Sequence, residues 1–312
     1  MEKPVEVSIC IPAYKNTLFL GRLLDSIAIQ TFKDYEVVVT DDSPDNSVED
    51  FINNYSAIKG VKYFRNSPAL GTPENWNEGI RRASGKWIKL MHDDDWFAQP
   101  DALESFYKAT VEKPGCPFFF SAFKNVMEEE NKVEVVTCGL VDKLMLWLSP
   151  LHLFGKVYVG NPSCTFVKRD LGQLYDSRFK FVVDFEYYIR CFKIIRSYKY
   201  VDKVLLNIGF NKEQVTRYTF LVPEVQIPEN LLLLEKLGGN ILRNPVVYDY
   251  YWRMLRNLKI RSVKQVQTFY PGAIHPIIVQ MITFQSRFSL SLLRTGIISK
   301  CLMFASYLRS LR

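Results

Sequence analysis

Trp87-Ile88-Lys89-Leu90-Met91-His92-Asp93-Asp94-Asp95-Trp96 is the stretch on which the fold turns. An apolar-leaning run of strand length delivers three successive acids, and packing alone does not put acids there. Each ionised carboxylate near a core loses hydration and needs a cation, a donor or water in return. A divalent metal carrying a diphosphate supplies that compensation. A solvated acidic turn capping the next helix is the plainer reading.

The segments on either side decide between the two. Val5 to Ile11 reads as a strand ending in Pro12-Ala13-Tyr14, and Leu20, Leu23, Leu24 and Ile27 then fall on one helical face with Asn16 or Thr17 as cap. Tyr35 to Thr40 is a β-branched strand stopped by Asp41-Asp42-Ser43-Pro44, Ser47 to Tyr55 a helix, Val61 to Phe64 a short strand, and Pro73 to Ala83 a helix with Pro in its first turn. Strands alternating with helices predict a mostly parallel, doubly wound α/β sheet, in which ligands bind beyond the carboxyl ends of the strands. Both acidic clusters, Asp41-Asp42 and Asp93-Asp94-Asp95, stand at such ends.

Farther along, the pattern predicts strands over 117–123, 133–137, 163–168 and 200–208, a helix over 184–195, and a leucine-rich helix over 231–237 ended by Gly238-Gly239-Asn240. With 48% hydrophobic and 23% charged residues among 312, the chain is that of an ordinary globular protein, which excludes disorder. Met1 to Pro4 lacks the basic-then-apolar pattern of a secretory signal, so the expected location is the cytoplasm. The six cysteines show no CxxC pair and read as buried thiols, which excludes a zinc or disulfide framework. Net charge is +7, yet Val246 to Arg312 holds ten Lys or Arg against the single acid Asp249, leaving the first 245 residues at −2.

No Gly-x-Gly-x-x-Gly follows the first strand and no Gly-x-x-x-x-Gly-Lys-Ser/Thr occurs, so neither a dinucleotide fingerprint nor a P-loop handles phosphate. Val7 to Tyr14, Leu24-Asp25-Ser26-Ile27 to Gln30-Thr31-Phe32, Tyr35 to Ser43, and Ala83 to Asp95, in that order and spacing, resemble family 2 glycosyltransferases. The resemblance covers about the first 110 residues and continues faintly to 218. It implies a GT-A type fold: a mostly parallel doubly wound sheet with a smaller mixed acceptor-side sheet, followed by a helical C-terminal region. The expected domains are a catalytic domain over 1–218, with a nucleotide-sugar half (1–115) and an acceptor half (116–218), and a basic helical region over 219–312.

The resemblance further implies a nucleotide-diphosphate sugar donor, UDP-sugar favoured, a Mg²⁺ or Mn²⁺ ion, and transfer with inversion to a hydroxyl of a saccharide or lipid-linked saccharide. Carried over residue by residue, Pro12, Tyr14 and Asp42 line the nucleoside pocket, with Asp41 either beside them or capping the loop. With Trp96 and Pro100 setting the register, His92 takes the first position of the family's Asp-x-Asp pattern, Asp93 the middle and Asp94 the last. Asp94 is then the expected metal ligand, Asp93 a ribose or second metal contact, and Asp95 a cap. Asp184 matches the family's general base, with Glu186 and Asp176 as competitors and a plain helix N-cap as the bland alternative. Asn161 and Ser163 fall where acceptors bind, and Asn211 and Lys212 in a lid-like loop where relatives carry histidine.

The basic, aromatic-rich tail reads either as amphipathic helices on an anionic membrane surface or as a helical cap, with nucleic acid set aside for want of a motif. Surface polysaccharide assembly on the inner face of the membrane fits the first reading. A nucleotidyltransferase and a non-catalytic sugar-nucleotide-binding or scaffolding protein are the rival functions. The first lacks its glycine-rich basic loop after strand one, and the second is suggested by His92 and Asn211.

Overall fold

Strict helix–strand alternation in the first 90 residues builds four parallel strands, β1 (Val7–Ala13), β2 (Tyr35–Asp41), β3 (Lys62–Arg65) and β4 (Trp87–Leu90), ordered β3-β2-β1-β4. They are joined by α1 (Thr17–Ala28), α2 (Ser47–Asn54) and α3 (Glu74–Arg82). The computed structural model describes residues 5–195, 197–210 and 219–311. Leu20, Leu23, Leu24 and Ile27 are fully buried on one face of α1, and the Asn16 side chain caps that helix by accepting the Phe19 amide at 3.1 Å.

After β4 come β5 (Trp96–Phe97), α4 (Ala102–Glu112), β6 (Phe118–Met127), β7 (Lys132–Val136), α5 (Leu140–Leu148), β8 (Thr165–Lys168), α6 (Val183–Ile194) and β9 (Lys199–Gly209). The mixed strands do not form a separate sheet. β8 pairs antiparallel with both β4 and β6, so all nine strands share one hydrogen-bonded sheet, β3-β2-β1-β4-β8-β6-β9-β5, with β7 added to β6. The α4 helix was not expected from the pattern, yet Ala102, Leu103, Phe106 and Ala109 bury one face of it at helical spacing.

At the amino ends of the parallel strands, opposite the acids, Glu36 of β2 ties the sheet together. Its carboxylate accepts from Ser8 of β1, from the amide and hydroxyl of Ser84 before β4, and from Lys62 of β3 at 2.7 Å. Burial pushes this carboxyl up, but the Lys62 ammonium and the serine donors outweigh it and hold it at about 2. A pKa below the unfolded value of about 4.3 gives stability that is present above that pH and lost as pH falls toward 2. Glu36→Gln is expected to unfold about 2 kcal/mol more easily at pH 7. Chemical denaturation at pH 7 and pH 3 checks this: the gap between wild type and variant narrows at the lower pH.

Among the described residues the chain divides into two compact units, one comprising 5–143, 158–177 and 183–210, the other 144–157, 178–182 and 219–311. The second is helical: α7 (Pro223–Leu237), α8 (Pro245–Asn257), α9 (Val263–Gln267), α10 (Pro276–Gln285), α11 (Leu290–Arg294) and α12 (Gly296–Ser310). Tyr248, Tyr251 and Trp252 of α8 form its core with Ile278, Met281, Ile282 and Leu293. The α7 helix begins eight residues before the leucine-rich run, carrying Pro228 inside it. Among the described residues no helix is long and apolar enough to cross a membrane.

Candidate active site

The parallel register sets the acids. Ala13 of β1 pairs with Asp41 of β2, and Met91 follows β4 with its amide on the Cys10 carbonyl, so three neighbouring strands end together and release Tyr14, Asp42 and residues 92–95 from one edge.

The two acids after β2 differ. Asp41 is fully buried and holds the loop, accepting the Ser43 amide at 2.8 Å and the Tyr63 hydroxyl at 2.7 Å, which is the loop-capping alternative. Asp42 accepts Asn66 Nδ2 at 2.8 Å and the Leu70 and Gly71 amides at 3.0 and 2.7 Å. A carboxylate has about four lone-pair sites, so one remains for a further donor. Pro12 is buried beneath, while the Tyr14 ring is 55% exposed with the Lys15 ammonium 4.9 Å from its centroid.

Around the second cluster, one ring nitrogen of His92 and one carboxylate oxygen each from Asp94 and Asp95 lie within 4.8 Å of one another. Asp93 turns instead toward β1, accepting the Tyr14 amide at 3.4 Å. Asp95, expected only to cap, is buried and accepts from Asn161 Nδ2 at 2.8 Å and from the Gly209 amide at 3.2 Å. Ser163 Oγ accepts the His92 amide at 2.9 Å. Asn161 and Ser163, placed by sequence on the acceptor side, therefore both brace the acid loop from the turn before β8. Burial, and after it the Asp94 charge, push Asp93 up to about 8 and raise Asp95 well above the usual carboxylate range, while burial keeps the His92 imidazole neutral.

The residues fit a hard divalent cation. The Asp94 and Asp95 carboxylates are the oxygen donors that Mg²⁺ or Mn²⁺ takes, His92 Nδ1 lies 3.9 Å from Asp95 Oδ2, and among the described residues His92 Nε2 is buried with no hydrogen-bond partner.

Three supports escaped the sequence reading. Lys89, at the centre of the fully buried β4, donates to the Ser163 and Thr165 carbonyls and lies 4.8 Å from the Phe106 ring centroid. Burial pushes its ammonium down to about 7. A lysine inside an otherwise apolar strand was the visible signal. Arg22 of α1 stacks 3.6 Å from the Trp96 centroid, donates to the Asp94 carbonyl at 3.1 Å and pairs with Glu128 at 2.5 Å. Gly209 ends β9 so close to the acid loop that a Cβ there would collide with the Asp94 carbonyl oxygen. Gly209→Ala is expected to keep the fold and to weaken Mn²⁺-dependent nucleotide binding by about tenfold or more, as for a lost supporting contact, measured by calorimetry.

Asp184 stands in the first turn of α6, half-buried, with Oδ1 accepting the Phe185 amide at 2.8 Å. Burial pushes its carboxyl up to about 6, against the pull of the Phe185 and Asp184 amides. Its competitor Glu186 is fully buried and paired with Arg190 at 2.9 Å, committed to holding α6. A path of rings connects α6 to the acids: His92 to Trp76 of α3 (4.6 Å), Trp76 to Tyr175 (5.2 Å), and Tyr175 stacked on Tyr187 (4.1 Å). Asn77 fixes this path by exchanging two 2.8 Å hydrogen bonds with the Tyr175 backbone. Asn211 and Lys212 lie outside the described residues.

Acidic strand ends on a curled mixed sheet of this order define a GT-A fold. Residues 8–135 match the family described as Glycosyl transferase family 2. Over that stretch the chain is similar to glycosyl transferase family 2. An uncharacterized glycosyltransferase of Haemophilus influenzae is 30% identical over 125 residues, 40% of this chain and 41% of that protein. A GalNAc(5)-diNAcBac-PP-undecaprenol beta-1,3-glucosyltransferase of Campylobacter jejuni is 30% identical over 92 residues, 29% of this chain and 30% of that protein. The chain thus matches less than half the length of these relatives. In fold it is similar to residues 1–349 of S. aureus TarS in complex with UDP-GlcNAc (TM-score 0.57, 14% identity, 98% of this chain and 92% of that one). It is likewise similar to a mannosyltransferase from Pyrobaculum calidifontis in complex with GDP-Man and Mn²⁺ (TM-score 0.54, 13% identity, 99% and 88%).

Proposed function

We propose that this chain is an inverting, metal-dependent glycosyltransferase that moves a sugar from a nucleotide-diphosphate sugar, UDP-sugar first, to a hydroxyl of a saccharide or lipid-linked saccharide in surface polysaccharide assembly. The observation that carries it is the pairing of two unlike acidic groups. A carboxylate cluster with an orphaned imidazole nitrogen stands at the end of β4, and a lone half-buried acid with a raised pKa stands on α6, joined to it by aromatic rings.

Asp94, with His92 and Asp95, would hold Mg²⁺ or Mn²⁺, which neutralises the diphosphate and stabilises it as a leaving group. Tyr14 stacks on the nucleobase and the remaining lone pair of Asp42 accepts a base N–H. Asp93, held at the Tyr14 amide, takes the ribose. Asp184 takes the proton of the acceptor hydroxyl as its oxygen attacks the anomeric carbon. The bond from that carbon to the diphosphate oxygen breaks with its electron pair on the diphosphate, and configuration inverts in one displacement. The Campylobacter relative, whose name specifies an undecaprenol-linked substrate, supports a lipid-linked acceptor.

A thermal-shift series with UDP-, GDP- and dTDP-sugars, each with and without Mn²⁺, tests the reading. One of them is expected to raise the melting point only when Mn²⁺ is present, since about 100-fold excess over Kd stabilises by about 2.7 kcal/mol. A flat response to every donor would end the proposal.

A further inference from the structure

The last helix is built inside out. Its inward stripe carries Ser299, Met303 and Ser306, all buried, with Ser306 Oγ 2.7 Å from the Tyr248 hydroxyl and Ser299 Oγ accepting from Trp252 Nε1 at 3.2 Å and Arg256 Nη1 at 3.1 Å. Its outward stripe is apolar: Ile297 (82% exposed), Cys301, Phe304 (53%), Leu308 and Leu311. These five recur at spacings of 4, 3, 4 and 3, so the first four line one edge of α12 and Leu311, its C-terminal cap, continues that edge. A helix that hydrogen-bonds its serines inward and leaves its large apolar side chains in water is shaped by something that covers the outside.

The charge of this part of the chain, in which Arg287 and Arg294 are exposed, argues for what that cover is. Between residues 246 and 311 nine Lys or Arg stand against Asp249 alone, and that acid is already paired with Arg253 and Lys300. Two copies meeting along this stripe would bring like charges together, whereas an anionic lipid surface complements them. We infer that α12 lies on an anionic membrane leaflet, with Ile297, Phe304, Leu308 and Leu311 entering the acyl boundary while arginines including Arg287 and Arg294 meet headgroups. This deepens the reading above by assigning the membrane contact to one helix face, and it rests on the lipid-linked acceptor only for its purpose.

The full chain is mixed with vesicles of phosphatidylcholine alone or with phosphatidylglycerol added, then floated at low and high salt. Wild type is expected to float with the anionic vesicles, and more weakly as salt rises. The exposed triple variant Ile297→Ser, Phe304→Ser, Leu308→Ser is expected to bind them about 100-fold more weakly. Arg287→Glu with Arg294→Glu, which leaves the stripe intact, is expected to lose the preference for anionic lipid. Unchanged far-ultraviolet dichroism and donor-induced thermal shifts in all variants separate loss of lipid contact from misfolding or from failure of the transferase reading. Equal flotation of wild type and triple variant would overturn the inference, as would absence of wild type from anionic vesicles at low salt. So would a concentration-dependent dimer, seen by sedimentation, that the triple variant abolishes.

Discussion

Asp184→Asn is expected to lower sugar transfer by about 10²–10⁴-fold while donor affinity holds, because the amide keeps the shape of the first turn of α6 but cannot take a proton. The acceptor hydroxyl is a poor nucleophile until that proton leaves. The proposed base can accept that proton only as the carboxylate. With burial holding Asp184 at about 6, turnover is expected to fall as pH drops through 6 and to level off above it. Single-turnover assays across pH 5 to 8, beside nucleotide-sugar titrations, give both quantities. A variant that transfers at the wild-type rate would remove Asp184 from the chemistry. Glu186 would not replace it, since it is fully buried and paired with Arg190.

Asp94→Asn is expected to uncouple metal from nucleotide. In wild type Mn²⁺ and the nucleotide sugar should each tighten the other's binding by the same factor, because coupling free energy is reciprocal. The substitution leaves the Asp94 carbonyl contact to Arg22 in place while removing the negative ligand, so the local fold has a reason to persist. Mn²⁺ affinity is expected to drop about 100-fold or more, and nucleotide affinity to become indifferent to chelator. Calorimetric titration of each ligand with and without the other reads this, and wild-type coupling in the variant would move the metal off Asp94.

How much of this was legible without coordinates follows from the reach of each interaction. The α1 face, the first two strands and the strand-end siting of the acids were readable because local periodicity alone determines them. The α4 helix was harder, since Ala102 and Ala109 give its buried face little hydropathy contrast. The α5 helix gave no usable contrast because Leu140, Val141, Leu144 and Trp147 face outward. In α7, Pro228 hid the true start. The merger of the parallel and mixed strands depends on the pairing of Trp87 with Lys168, far apart in sequence and invisible to any local pattern. The same holds within the site. The acids could be found, but whether Asp41 or Asp42 keeps a lone pair to offer depends on which one the 66–71 loop and Tyr63 reach. That Asn161 and Ser163 lie under Asp95 and His92 depends on the β4–β8 pairing.

Lys89 carries a last implication. Its ammonium is satisfied by the Ser163 carbonyl in the turn before β8 and by the Thr165 carbonyl where β8 begins, and the hydroxyl of that same Ser163 accepts the His92 amide. If that turn detached, a cation would be stranded in the sheet interior and the His92 amide would lose its acceptor in the same event. Partial melting of this region is thereby penalised at both places, so it should open as a single cooperative block. Amides of 92–95 and 163–165 would then exchange with solvent at one shared rate, and the centre would be either wholly assembled or wholly absent.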